Sequence, residues 1–193
     1  MAMSLKLSHK FNSFIRKFTL RNILVAIPLI LLCVIVANKA GNYVWNHITI
    51  SPSSSAGAHV FYYSNEVNSS DLTLNKWVRF PLLVPKNIVG TCEPNCSPGK
   101  APDTCICYPI KRIACDQGSV LITENLNFYC DGIFLGKAKT RSKRGVPVTP
   151  FQYRGLIPEG YAFLMNDHPD SYDSRYYGIV GKNHVTQKVY PLF

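Results

Sequence analysis

The sequence predicts a mainly β protein: a single N-terminal transmembrane helix followed by a domain of antiparallel β-sheet. Three observations carry this expectation. Ile23 to Ala37 is an apolar run without a charge. No long segment of 3.6-residue hydrophobic period follows it. From residue 46 onward the chain is a series of short strand-like runs punctuated by Gly, Pro, Asn and Asp.

The leader, residues 1–21, holds Lys6, Lys10, Arg16, Lys17 and Arg21 and no acid, which is half of the net charge of +10. The apolar run is slightly under the usual length of a span. Lys39 can snorkel, and Tyr43 and Trp45 suit the far interface, so the anchor is expected over 22–45. Cations ahead of it place the N-terminus in the cytoplasm by the positive-inside rule. Residues 46–193 are then extracytoplasmic. A cleaved secretory signal is the competing reading, but Ala37-Asn38-Lys39-Ala40 is a poor cleavage site. This placement accounts for the basic charge with membrane lipid as the partner and calls for no nucleic acid.

Residues 46–63 read as a strand, a small-residue turn and a second strand. Trp77 to Val84 is strand-like until Pro85, and 90–104 reads as a loop. A strand is expected around Lys111, then at Ser119–Thr123, Asn127–Tyr129 and Ile133–Leu135, with Asp131-Gly132 the clearest hairpin turn. Lys137 to Arg144 holds five cations and reads as an exposed, solvated loop. Gly155 to Met165 reads as a strand pair, and Tyr176–Val180 and Val185–Tyr190 as closing strands. Of seven cysteines, Cys33 lies in the apolar run and is expected to be a buried thiol. The other six fall in the part assigned to an oxidising compartment and read as disulfides. Cys115–Cys130 is the favoured pair, and the remaining four staple an insert at about 85–107. The Cys-x3-Cys and Cys-x-Cys spacings match zinc sites poorly, and no metal or other cofactor is required.

The chemistry is expected at Lys111. Neighbouring side chains of a strand face opposite ways, so one of Lys111 and Arg112 points into the apolar side. A buried ammonium tends to lose its proton, and a neutral lysine is a competent general base, whereas arginine stays charged. Lys111 is therefore expected to be the inward residue, with two solvated cations on an edge strand as the plainer alternative. A lysine base needs a nucleophile, and Ser53, Ser54 and Ser55 lie on a tight small-residue segment just beyond the anchor, a run that taken alone also reads as a flexible linker.

The stretch Ser171-Tyr-Asp173-Ser174-Arg175-Tyr-Tyr-Gly178 resembles the C-terminal box of type I signal peptidases, the Ser/Lys family of membrane-anchored serine endopeptidases. Lys111-Arg112-Ile-Ala resembles that family's Lys-Arg box. The lead-in His168-Pro169 and the short chain look most like the conjugation-system, TraF-like branch that matures pilins. The resemblance covers the anchor and about 46–63, 108–136 and 155–193, and leaves the cysteine insert outside. It implies a β-sheet catalytic domain of the signal-peptidase type.

Carried over by position, it implies Ser53 as nucleophile, measured back from Gly57. Ser55 and His59 stand where that branch has Pro and Tyr, which leaves Ser54 and Ser55 open. Ser51 falls at the oxyanion hydroxyl position, beside the Ser53 N–H. Lys111 matches the general base, Ser171 the serine that orients it, and Asp173 with Arg175 a supporting ion pair. Asn166-Asp167-His168 replaces the wider family's Gly-Asp-Asn. The implied reaction is cleavage of a preprotein, a pilin precursor in that branch, with cyclisation by the subunit's own amine as a further outcome. The implied setting is the bacterial inner membrane with the catalytic domain periplasmic, among other membrane proteins of a transfer system. A Ser/His/Asp triad using His59, His168 or His184 is the enzymatic rival. A non-enzymatic, disulfide-stapled component of envelope or pilus assembly is the rival from another class. It explains the anchor and the cysteines but not the combined Ser, Lys and Ser-x-Asp-Ser-Arg elements.

Overall fold

The structure is a computed structural model that describes residues 20–50, 59–89 and 96–192. Its contacts divide the chain into two units, Met1–Asn46 and His47–Phe193.

The first unit is built on helix α1, Leu20–His47. Its section Asn22–His47 has a mean hydropathy of 2.5 and is long and apolar enough to cross a membrane. Pro28 lies inside it without ending it. Leu24, Leu29, Ile30 and Val36 are exposed, as is Cys33, a free thiol. Cys33 was expected to be buried; among the described residues it is exposed.

The second unit is mainly β, and its strands among the described residues pair antiparallel in three sheets. The largest has the order β1 (Ile48–Ile50), β2 (Val60–Ser64), β14 (Gln187–Pro191), β3 (Trp77–Arg79), β7 (Ile110–Asp116), β12 (Tyr161–Met165), β13 (Val180–Gly181). The second runs β10 (Ile133–Lys137), β9 (Asn127–Cys130), β8 (Val120–Glu124), β11 (Arg154–Leu156). The third runs β4 (Leu82–Pro85), β6 (Thr104–Cys107), β5 (Cys96–Pro98), with the short helix α2, Lys86–Val89, following β4. An N-terminal apolar helix followed by antiparallel sheets is the predicted architecture.

Two cores sandwich β7 and β12. On one face Ala114, Cys115, Phe163 and Met165 meet Leu121, Phe128 and Cys130 of the second sheet. On the other, Ile113, Ala162 and Leu164 pack with Val78, Phe80 and Leu72. Buried residues run consecutively through Ile113-Ala114-Cys115 because the pairing shifts register there. Phe163 opposes Cys115 and Leu164 opposes Ile113, which leaves Ala114 as the extra residue of a bulge. A bulge re-aims the strand, so residues on its two sides serve different faces. The turn Asp131-Gly132 has φ of 48° and 80° and joins β9 to β10, as its Asp-Gly sequence predicts.

Four expectations are corrected. Trp77–Val84 is two strands in two sheets, because Pro81 cannot donate to a ladder and the chain changes sheet there. The strands read as a pair in Gly155–Met165 exist as β11 and β12, but β11 joins β8 and β12 joins β7. Tyr176–Val180 is not a strand: helix α3, Ser174–Tyr177, occupies its start and only Val180–Gly181 is extended. Within the segment read as a loop, Cys96–Pro98 is a strand held against β6 by the register Cys96 to Cys107, the same two residues that form a disulfide. Cys115–Cys130 is bonded as favoured, and Cys105 is also oxidised.

Candidate active site

Strand β7 is interior to the largest sheet, between β3 and β12. Lys111 stands opposite Val78, and Arg112 opposite Trp77 and Met165. This register turns Lys111 toward the core that holds Val78 and Ile113, leaving it 5 % exposed. Arg112 lies on the other face, where its guanidinium donates to Asn75 Oδ1 and pairs with Asp167 at 2.8 Å. The strand thus splits its two cations as alternation requires.

Lys111 Nζ donates to Ser171 Oγ at 2.7 Å. Burial lowers the lysine pKa from 10.5 to about 8. Asp173 pulls it up and Arg175 pushes it down, so the pair's opposed charges offset each other and desolvation sets the direction.

Ser171 comes from the loop between β12 and α3, and that loop is tied to Arg175. Arg175 is 1 % exposed and Asp173 is fully buried. Asp173 Oδ1 accepts from Arg175 Nε at 2.8 Å and Oδ2 from Arg175 Nη2 at 2.8 Å. The same carboxylate caps α3 by accepting from Arg175 N, and it also accepts from Asn166 N. Arg175 further donates to the carbonyls of Lys137, His168 and Ser171. An arginine fork so engaged fixes backbone as well as charge. Gly178 ends the helix at φ 83°, and a Cβ there would meet the Phe151 ring at 3.0 Å.

Of the residues predicted from sequence, the structure brings together Lys111, Ser171, Asp173 and Arg175. Ser51, Ser53, Ser54 and Ser55 lie outside the described residues, between β1 and β2, which pair antiparallel with Ile50 opposite Val60. His168 Nδ1 accepts from Asp170 N, and His184 is exposed.

Sequence reasoning missed three supporting groups. Ser174 Oγ accepts from Leu164 N at 2.9 Å, at the register shift of β12 against β7. Its place in the Ser-x-Asp-Ser-Arg run was a usable signal. Lys182 pairs with Asp116 at 2.7 Å with both groups largely buried, which anchors the far end of β7. Nothing in the local sequence marks that pair. Asn166 Nδ2 donates to Ile110 O and ties the loop to the residue before Lys111.

A buried amine of lowered pKa, held by a hydroxyl on a braced loop, can accept a proton from a weak acid brought to it. Comparison with known proteins agrees with a peptidase. The family model for signal peptidases, peptidase S26, matches residues 19–193. No curated protein matches the chain. Among solved structures, a signal peptidase I from Enterococcus faecalis is 20% identical, matching 63% of this chain and 96% of its own with a TM-score of 0.33. With nearly its whole length matched by one family model, the chain belongs to the signal peptidase family, peptidase S26, a family of serine peptidases.

Proposed function

We propose that the chain is a membrane-anchored signal peptidase that cleaves preproteins with Ser53 as nucleophile and neutral Lys111 as general base. The observation that carries this reading is the buried Lys111 amine 2.7 Å from Ser171 Oγ, with its pKa lowered to about 8 by desolvation. In the proposed cycle Ser53 Oγ attacks the scissile carbonyl and Lys111 Nζ takes its proton. The Ser53 N–H and the Ser51 hydroxyl stabilise the oxyanion. The lysine then protonates the leaving amine. Water, deprotonated by the same amine, hydrolyses the acyl-enzyme. Ser171 holds the lysine in line, and Asp173 and Arg175 act on Ser171 by bracing its loop.

The substrate proposed is a pilin precursor of a conjugative transfer system, with cyclisation by attack of the subunit's own amine as an alternative fate of the acyl-enzyme. The proposed site is the bacterial inner membrane, residues 22–45 spanning it, the 1–21 leader cytoplasmic and 46–193 periplasmic. The basic leader and the apolar helix support this orientation. Mass spectrometry of a pilin precursor incubated with the full chain in detergent tests the function. The reading expects a shortened product with the wild type and none with Ser53→Ala or Lys111→Ala. Cleavage retained in both variants refutes it.

A further inference from the structure

A cavity of about 230 Å³ opens beside the loop that carries Ser171. Its lining includes Asp170 and Tyr172, the two neighbours of Ser171 in the chain, and Tyr176 of α3. Tyr172 and Tyr176 stack with ring centroids 5.4 Å apart and planes within 8°. The cysteine insert closes one side: Ile88 lines the cavity, and Tyr172 packs against the cluster of Val84, Cys105 and Cys107.

The basic segment after β10 supplies more of the lining, and it is a built turn. Ser142 N and Val146 O bond across it, Val146 N returns to Ser142 Oγ, and Arg141 Nη1 donates to Gly145 O. Lys139 N donates to Tyr176 Oη, which ties the turn to the aromatic stack. Asp170 is the one carboxylate among the described lining residues, and it is paired with Lys139. Arg141, Lys143 and Arg144 line the cavity without a salt bridge among the described residues. Cations gathered on a concave wall over an aromatic surface concentrate the local field. They suit a carboxylate on a short apolar stem, whose methylenes lie on the rings while its oxygens meet the guanidinium and ammonium groups. The cavity has room for one such side chain rather than a run of nucleotides.

We propose that this pocket is a recognition subsite for an acidic residue of the preprotein, formed by the basic turn, the tyrosine pair and the cysteine insert. The proposal rests on the peptidase reading, since it takes the ligand to be the polypeptide that is cleaved. Tyr172 adjoins Ser171, so occupancy of the subsite bears on the loop that holds Lys111.

The test measures binding and cleavage separately. A set of labelled neutral peptides, each with one position changed from Gln to Glu, is titrated against the full chain carrying Ser53→Ala in non-ionic detergent. At one or two positions Glu should bind about tenfold more tightly than Gln, as two partly exposed ion pairs would give, and salt should erase the difference. The charge-reversing change Lys143→Glu with Arg144→Glu should invert the preference in favour of a Lys-substituted peptide. Equal binding of Glu and Gln peptides at every position, or a preference that survives charge reversal, overturns the subsite. Loss of binding to phosphatidylglycerol vesicles on reversal, with the peptide ratio near one, assigns the turn to a lipid surface and also overturns the proposal. Failure of the peptidase reading has a separate signature: wild-type cleavage that is indifferent to Ser53→Ala and Lys111→Ala.

Discussion

Replacing Lys111 by Met removes an amine that the fold holds at a cost and keeps the length of the side chain. Lys111 is 5 % exposed, and the pKa of its amine falls from 10.5 to about 8 on burial. Between those values the unfolded chain carries a proton on this lysine that the folded chain has lost. Unfolding then takes up a proton, so stability rises with pH through that window and the penalty is fully present below about pH 8. Between about pH 7 and pH 9.5 the wild type should gain about 2 kcal/mol relative to Lys111→Met, taking ~1.4 kcal/mol per pK unit. Near pH 7 the full penalty of about 3 kcal/mol is relieved in the variant, less about 1 kcal/mol for the lost bond to Ser171 Oγ. The variant should therefore be more stable at neutral pH, inactive, and progressively less favoured as the solution becomes alkaline. Guanidinium unfolding of both full-length chains in the same detergent, followed by tryptophan fluorescence, reads the difference. Groups common to both chains cancel in it. A stability difference that stays constant from pH 7 to 9.5 would refute the reasoning, because it means the buried amine does not release its proton in that range.

Three further outcomes follow from the bracing of the site. Ser171→Ala should lower kcat/KM about 10- to 100-fold and cost only about 1 kcal/mol of stability by denaturant titration, since it removes the amine's bond without breaking the loop. Asp173→Asn leaves the Arg175 guanidinium buried without a counter-charge, so it should cost about 3–5 kcal/mol of stability and abolish cleavage, read by denaturant titration and by product formation. The double change Cys115→Ser with Cys130→Ser should cost about 3 kcal/mol for its 15-residue separation, read as a lowered unfolding midpoint under non-reducing conditions.

What was legible in the sequence follows from local periodicity and composition. Alternation in β7 separated Lys111 from Arg112, and the pairing with β3 and β12 decides that Lys111 is the one turned into the core. Asp131-Gly132 announces a turn with two positive φ values, and the chain adopts it. The supporting residues were legible only through the Ser-x-Asp-Ser-Arg resemblance. What was hidden depends on contacts between distant segments. The Ala114 bulge arises from the pairing of β7 with β12, so a continuous buried run gives no clue that the strand changes faces. Pro81 lies in an apolar stretch that looks continuous, yet it divides the stretch between two sheets. Tyr176 and Tyr177 have strand-forming side chains, but the Asp173 cap two residues upstream of Arg175 starts a helical turn instead. The Lys182–Asp116 pair joins residues that no short-range pattern connects.

The central claim is that a lysine made neutral by burial activates the serine. The most direct measurement is the pH dependence of kcat/KM for preprotein cleavage by the wild type and by Lys111→Arg. The account predicts a single ascending limb in the wild type, rising tenfold per pH unit in acid and levelling near pH 8, where the buried amine loses its proton. It predicts no cleavage by the arginine variant at any pH, because a guanidinium keeps its charge. A profile flat from pH 5 to 9, or measurable turnover by Lys111→Arg, would contradict it.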